Sequence, residues 1–316
     1  MSQIVTVTPN PSLDKSAAVD NVVPDRKLRC DAPQRQPGGG GINVARVVQR
    51  LGAAPLVIYP VGGPQGQMLR DLLDEEALAQ ELVSIGGLTR ESFAVRDKSS
   101  NQQYRFSVPG PTLSRDEWQA CLTRLRQLDA QPEFVVLSGG LAPGMPDDFY
   151  ARIAGWAQER EIAVILDTHD EPLRQAIETG VFLLKPNLRE LRQLTGRALE
   201  DEAAQREALR RIIDDGGAGY VVLSLGAAGA VFAGPEGTTR LRAPTVPIRS
   251  KVGAGDSMVG GIVWALAEGH SPFEAAQFGV AAGAAAVKTP GTELCHRDDA
   301  VALFEQTKDE ASAPAS

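Results

Sequence analysis

Short apolar runs recur along the chain at 4–8 (IVTVT), 56–61 (LVIYPV), 134–138 (FVVLS), 163–167 (AVILD), 181–185 (VFLLK) and 220–225 (YVVLSL). Most are rich in Val, Ile and Leu at consecutive positions, which predicts strands buried on both faces, as in a parallel sheet. Helical spacing alternates with them. Val44, Val47, Val48 and Leu51 fall at i, i+3, i+4 and i+7, with Gly52 as a stop. Val259, Ile262, Val263 and Leu266 repeat the spacing and end at Gly269. Strands alternating with amphipathic helices predict a layered α/β fold, with helices on both faces of one sheet.

Two segments, 12–37 and 89–109, break this rhythm. In the second, Phe93 and Val95 alternate on one arm and Tyr104, Phe106 and Val108 on the other, with a turn over 98–101. This predicts a hairpin, and the two segments together predict a small β layer projecting from the main body.

Composition changes the picture little: 316 residues, 43% apolar and 23% charged, suit one large soluble domain. The net charge of -8 argues against nucleic-acid and membrane-surface binding, which need a basic field. Cys30, Cys121 and Cys295 are odd in number and widely spaced, so neither a disulfide framework nor a zinc site is expected. The start MSQIVTVTPNP has no basic n-region, and no apolar run reaches a spanning length. A soluble cytoplasmic protein with a fraying polar tail over 309–316 is expected.

Candidate chemistry lies in the glycine-rich stretches. Neither GGGGINVA (38–45) nor GAGDSMVGG (253–261) completes a dinucleotide fingerprint, and no P-loop occurs. Each instead opens a helix, whose first N–H groups and positive dipole end attract anions. Either stretch alone fits a structural turn with a capping residue; two in one chain point to an anion site. Asp256 beside such a site is placed to accept the proton of a hydroxyl attacking a phosphoryl group. In LLKPNLREL (183–191) a strand ends at Lys185 and Pro186 suits a first helical turn. Asn187 and Glu190, three apart, share a face that can order metal-bound water, or simply cap a helix. SLGAAGAVF (224–232) reads as strand, small-residue turn and strand.

Taken in order, GGGGINVAR, KPNLREL, SLGAAGA and GAGDSMVGG resemble the motifs of the PfkB carbohydrate kinase family, over nearly the whole chain. KLRC (27–30), PGGGGINVAR (37–46) and QYRFSVPG (103–110) look most like its 6-phosphofructokinase branch. The resemblance implies a ribokinase-like three-layer α/β/α sandwich with a mostly parallel central sheet and a small β-sheet lid. It implies one kinase domain over 1–308, with lid segments at 12–37 and 89–109, pairing as a homodimer through the lid. The implied activity is ATP-dependent phosphorylation of a ketose phosphate, foremost fructose 6-phosphate. Tagatose-6-phosphate kinase and fructose-1-phosphate kinase are the alternatives, and a non-catalytic sugar-phosphate sensor is the rival from another class.

Carried over by motif, Asp256 is the base, and Gly253, Ala254 and Gly255 form the anion hole before it. The sugar phosphate falls to Asp14, Lys27, Arg29, Gly38, Gly39, Gly40, Gly41, Asn43, Arg90 and Arg105. Arginine forks suit its phosphate. ATP falls to Lys185, Asn187, Ser224, Gly226 and Gly229, and Mg²⁺ to Glu190 through water. A monovalent cation such as K⁺ falls to Ser250, Val252, Ala286 and Gly291. Two departures stand out. Gly140 in SGGLAPG (138–144) lacks a hydroxyl the family often shows, and Lys251 stands where a small hydroxyl residue is usual. The Lys251 ammonium matches K⁺ in charge. It either folds toward that cation site, reaches the ATP phosphates, or points into water.

Overall fold

A computed structural model describes residues 4–291 and 293–312. In chain order its strands are β1 (Ile4–Val7), β2 (Ser12–Val19), β3 (Gln34–Gly38), β4 (Leu56–Val61), β5 (Ala79–Ser84), β6 (Arg90–Asp97), β7 (Gln103–Ser107), β8 (Phe134–Ser138), β9 (Ala163–Asp167), β10 (Val181–Leu184), β11 (Ala218–Ser224), β12 (Ala230–Gly234) and β13 (Gly237–Leu241). Its helices are α1 (Gly40–Arg50), α2 (Gly63–Glu75), α3 (Arg115–Arg126), α4 (Phe149–Gln158), α5 (Asp170–Thr179), α6 (Leu188–Thr195), α7 (Glu202–Asp214), α8 (Ala254–Ala267), α9 (Pro272–Val287) and α10 (Arg297–Ser312).

Nine strands form one sheet in the order β13-β12-β11-β10-β9-β8-β1-β4-β5. From β5 to β11 every pairing is parallel, and β12 and β13 close the far edge antiparallel. Alternate residues of the central strands feed opposite faces. Val5, Val7, Val135, Leu137 and Leu166 pack with α3, α4, α5 and α7, while Ile4, Phe134, Val136, Ile165 and Leu183 pack with α1, α8, α9 and α10. Both faces are therefore buried, which is why these strands carry no polar alternation. The three-layer sandwich is the one expected.

Small residues let α8 lie close to its neighbours. A β-carbon at Gly260 would stand 2.5 Å from Val47, and one at Gly261 would stand 2.8 Å from the Ala282 β-carbon. The end of GAGDSMVGG thus packs helices, while its start builds a turn.

The lid is a separate four-stranded sheet, β3-β2-β6-β7. The hairpin has the expected register, with Phe93 opposite Phe106 and Val95 opposite Tyr104. Its turn is tied by Asp97, which accepts from the Ser99 and Ser100 N–H groups and, across the lid, from Val22 N–H. Segment 12–37 is strand only at its two ends. The 20–33 loop between β2 and β3 is held by Asp31 N–H to the Ala18 carbonyl at 2.8 Å.

Three local expectations change, and β5 was not expected at all. β5, an edge strand of mixed burial, carries no readable apolar run. Lys185 follows β10 instead of ending it. Pro186 precedes α6, because Asn187 is its N-cap. α10 continues through Ser312, into the stretch expected to fray; residues 313–316 of that tail lie outside the described residues.

Candidate active site

The lid and the C-terminal ends of the parallel strands enclose a cleft of about 730 Å³. This is where open α/β sheets place ligands, because loops and helix N-termini converge there. Asp14 on β2 reaches the cleft from the lid. Its carboxylate lies against Gly38 on β3, where a β-carbon would stand 2.4 Å away; only glycine leaves it room. The Ser12 hydroxyl donates to Asp14 at 2.6 Å. Burial raises the Asp14 pKa, opposed by Ser12, Arg90, Arg105 and Arg46.

Arg90 donates to the Asn10 carbonyl and the Ser107 hydroxyl, which fixes its guanidinium between lid and body. Burial lowers its pKa, and Asp14 opposes this. Arg105 on β7 is exposed and lines the same cleft.

Two helix N-termini face this group. At α1, the Asn43 N–H is bonded to the Gly39 carbonyl, leaving the first N–H groups of the turn at Gly40, Gly41 and Ile42 without an acceptor among the described residues. At α8, Gly253 takes φ 77°, a left-handed conformation that favours glycine. The Ser257 N–H bonds the Gly253 carbonyl, so those of Ala254, Gly255 and Asp256 precede the helical ladder. The two ends are tied together: the Asn43 amide donates to Asp256 at 2.8 Å, across 213 residues of chain.

Behind Asp256, Lys185 and Asp167 form a buried ion pair at 3.0 Å. The cluster holds one ammonium among the carboxylates of Asp167, Asp256 and Glu190. Burial raises the Asp167 pKa to about 6, with Lys185 opposing and Asp256 adding to the rise. Burial pulls Lys185 down, but Asp167, Glu190 and Asp256 outweigh it and the ammonium is held. Asp256 is raised, chiefly by burial, against the pull of Asn43, Lys185 and Arg105.

The expected residues divide by place. Asp14, Gly39, Gly40, Asn43, Arg90, Arg105, Glu190, Val252, Gly253, Gly255 and Asp256 share the cleft. Gly38 and Gly41 support it, and Lys185 lies just behind it, its ammonium 3.9 Å from where a Gly255 β-carbon would stand. Asn187 and Ser224 meet in a β-bridge beside it. With the turn from Gly226 to Gly229 they form a shelf that does not line the cleft. Lys27 and Arg29 stand exposed on the 20–33 loop, outside the cleft, because that loop runs out beyond the strands of the lid.

Glu190 accepts from both the backbone N–H and the amide of Asn187, so the pair forms a capping box for α6. No cluster of three metal-ligating side chains occurs among the described residues. Among the residues expected to hold a monovalent cation, the Ala286 carbonyl accepts the N–H and hydroxyl of Thr289 at 3.1 and 2.7 Å. The Gly291 carbonyl accepts the Ser250 hydroxyl at 2.5 Å. Lys251 does not fold onto these carbonyls; it is exposed on the cleft wall.

Asp167, Thr168, His169, Arg189, Ser138 and Lys15 also line the cleft and were not singled out from sequence. Asp167 carried a signal: an acid at the C-terminal end of a buried parallel strand points at the ligand edge. The exposed Cys30 and buried Cys121 and Cys295 are free thiols.

This geometry has known counterparts. The chain is 44% identical over 303 residues to the ATP-dependent 6-phosphofructokinase isozyme 2 of Mycobacterium tuberculosis (strain CDC 1551 / Oshkosh), covering 96% of this chain and 89% of that protein. The crystal structure of Escherichia coli phosphofructokinase-2 in complex with fructose-6-phosphate superposes with a TM-score of 0.92 at 37% identity, covering 98% of this chain and 100% of that one. The same enzyme in complex with potassium gives 0.93 at 38% identity, with the same coverage. The family model for pfkB carbohydrate kinases matches residues 10–299, a span that holds the lid, both helix N-termini and the buried Lys185–Asp167 pair. The chain therefore belongs to the pfkB family of carbohydrate kinases.

Proposed function

We propose that this chain is an ATP-dependent 6-phosphofructokinase, transferring the terminal phosphoryl group of ATP to the 1-hydroxyl of fructose 6-phosphate. The observation that carries this reading is Asp256, tied to Asn43 between two helix N-termini that face Asp14 and two arginines across one cleft. Asp256 takes the proton of the attacking hydroxyl, and Asn43 holds the carboxylate in line. The N–H groups of Ala254 and Gly255 meet charge developing on the transferred group. Asp14 binds sugar hydroxyls, and Arg90 and Arg105 bind the existing phosphate. The nucleotide lies along Lys185 and the Asn187–Ser224 shelf.

Mg²⁺ would be carried by the nucleotide phosphates and held through water by Glu190, the described residues offering no cage of three metal-ligating side chains. When bound it neutralises phosphate charge. A K⁺ ion would be held by backbone carbonyls around Ser250, Val252, Ala286 and Gly291; two of these carbonyls also accept hydroxyls from Ser250 and Thr289, which leaves each a second lone pair. Tyr104, Phe106 and Val108, alternate residues along the lid's edge strand β7 and its end, are exposed, and we assign this edge to pairing with a second copy. The absence of any helix able to span a membrane among the described residues accords with a soluble cytoplasmic enzyme of glycolysis.

ADP release is to be measured with fructose 6-phosphate, tagatose 6-phosphate and fructose 1-phosphate. Fructose 6-phosphate is expected to give kcat/KM at least about tenfold above the others, one well-placed hydrogen bond's worth of discrimination. Preference for either rival sugar reassigns the substrate, and binding without turnover makes the protein a sensor.

Arg105→Ala is expected to raise KM for fructose 6-phosphate by about tenfold or more, through loss of a charge-assisted hydrogen bond. KM for ATP should stay near the parent value. A rise in KM for ATP alone would reverse the two subsites.

A further inference from the structure

We propose that Arg46 is a positioning residue for the sugar site: it seats the lid strand β3 on α1 and so fixes Asp14, without touching a substrate itself. This rests on the sugar-phosphate kinase reading and adds to it the part of the body that holds the lid.

Arg46 is 3% exposed and does not line the cleft. It lies three residues after Asn43, so the two share a face of α1. Its guanidinium grips Glu76 through two bonds, Nε to Oε2 at 2.7 Å and Nη2 to Oε1 at 2.5 Å. Nη1 is left to donate to the Pro37 carbonyl on β3, at 3.4 Å. A planar fork fixed at two corners has no freedom at the third. Glu76 therefore aims Arg46 at the lid.

Glu76 supplies an independent observation. It is the C-cap of α2, where the helix dipole disfavours a carboxylate. The chain nevertheless keeps an acid there, and the Arg46 fork is what that acid holds. The Gln49 amide, on α1, donates to the Glu76 carbonyl at 2.8 Å and ties the same end of α2 to α1. α2 in turn packs on β2 and β3. A buried ion pair contributes little net stability compared with a well-packed apolar side chain, so stability alone does not explain this strut.

Pro37 leads to the substrate. It pairs with Leu13 across the lid, next to Asp14, and Gly38 pairs with Ser12. The Asp14 carboxylate lies against Gly38 and accepts the Ser12 hydroxyl. A shift of β3 relative to α1 would therefore move the floor beneath Asp14. Arg46 also acts at longer range: burial raises the Asp14 pKa, and Arg46 is one of the charges that oppose the rise.

Arg46→Met retains the stem and removes the fork. The Glu76 side chain is 32% exposed, so water can solvate the carboxylate left behind and the variant should fold, with a lowered urea midpoint. KM for fructose 6-phosphate should rise by about tenfold, as for loss of a charge-assisted hydrogen bond, with KM for ATP near the parent value. Arg46→Lys, which keeps the charge and a donor, should recover part of the loss. Glu76→Gln, which loosens the grip on Arg46, should raise the same KM by roughly threefold. A purely structural Arg46 would lower the urea midpoint and leave both KM values unchanged. KM for fructose 6-phosphate within about twofold of the parent in Arg46→Met, or an equal rise for both substrates, overturns the proposal. If Arg46→Met does not fold, Arg46→Lys and Glu76→Gln decide by the same criterion. If the parent itself turns over no ketose phosphate, the kinase reading fails. Calorimetric titration of fructose 6-phosphate and ATP into the parent and Arg46→Lys then decides. Weaker binding of fructose 6-phosphate with ATP binding retained supports Arg46, and equal binding in both proteins, including none, overturns it.

Discussion

Asp256→Asn is expected to lower kcat by roughly 10²–10⁴, the range for loss of a general base. The amide keeps the shape and can still accept from Asn43, so KM for both substrates should change little. Stability should move the other way. Burial raises the Asp256 pKa above its ordinary value of 3.8. The folded protein therefore binds this proton more tightly than the unfolded chain, and stability is lost as pH rises through the folded pKa. At neutral pH the ionised carboxylate is a cost of the active site, and Asn removes it. The urea midpoint at pH about 7 should be equal to or above the parent's. The acid limb of the parent's kcat/KM profile should lie above the ordinary Asp value of 3.8 and vanish from the residual activity of the variant. Near-parent turnover would exclude Asp256 as the base, and a lowered midpoint would assign the lost activity to misfolding.

Lys185→Met is the second large effect, and it acts on stability. The Lys185 side chain is 5% exposed and its Asp167 partner 15%. Removing one member of such a pair typically costs about 3–5 kcal/mol, because the other charge stays buried and uncompensated. Here the stranded carboxylate also faces Asp256 and Glu190. Asp167 already sits at about 6 with the ammonium present, and without it the pKa rises further. The folded variant then holds a proton on Asp167 that the unfolded chain releases, so its stability falls as pH rises. The loss relative to the parent should be largest near pH 8 and smaller near pH 5.5, as urea titrations at about those two values would show. An equal loss at both would mean that Lys185 stabilises by packing its stem and not by charge. KM for ATP should rise as well, since the shelf beside Lys185 is assigned to the nucleotide.

The sequence by itself determined the features whose physics is local. Strands β1, β4, β8, β9, β10 and β11 were legible because burial on both faces demands consecutive apolar residues. The lid hairpin was legible from alternation and its turn, and Asp256 from a glycine turn at a helix start. β5 was not, because an edge strand with mixed exposure carries no such run. Tertiary structure decided what depends on distance across the chain. It brought Asn43 to Asp256, whereas the Asn187–Glu190 cap is local and was one of the two readings their spacing allowed. It set Lys27 and Arg29 outside the cleft. It also gave the second pair of glycines in GAGDSMVGG to helix packing, a role their spacing does not separate from a turn. The charge states of Asp14, Asp167, Lys185 and Asp256 belong to this second group. A pKa is set by burial and by neighbouring charges, and neither exists until the sheet order has been formed.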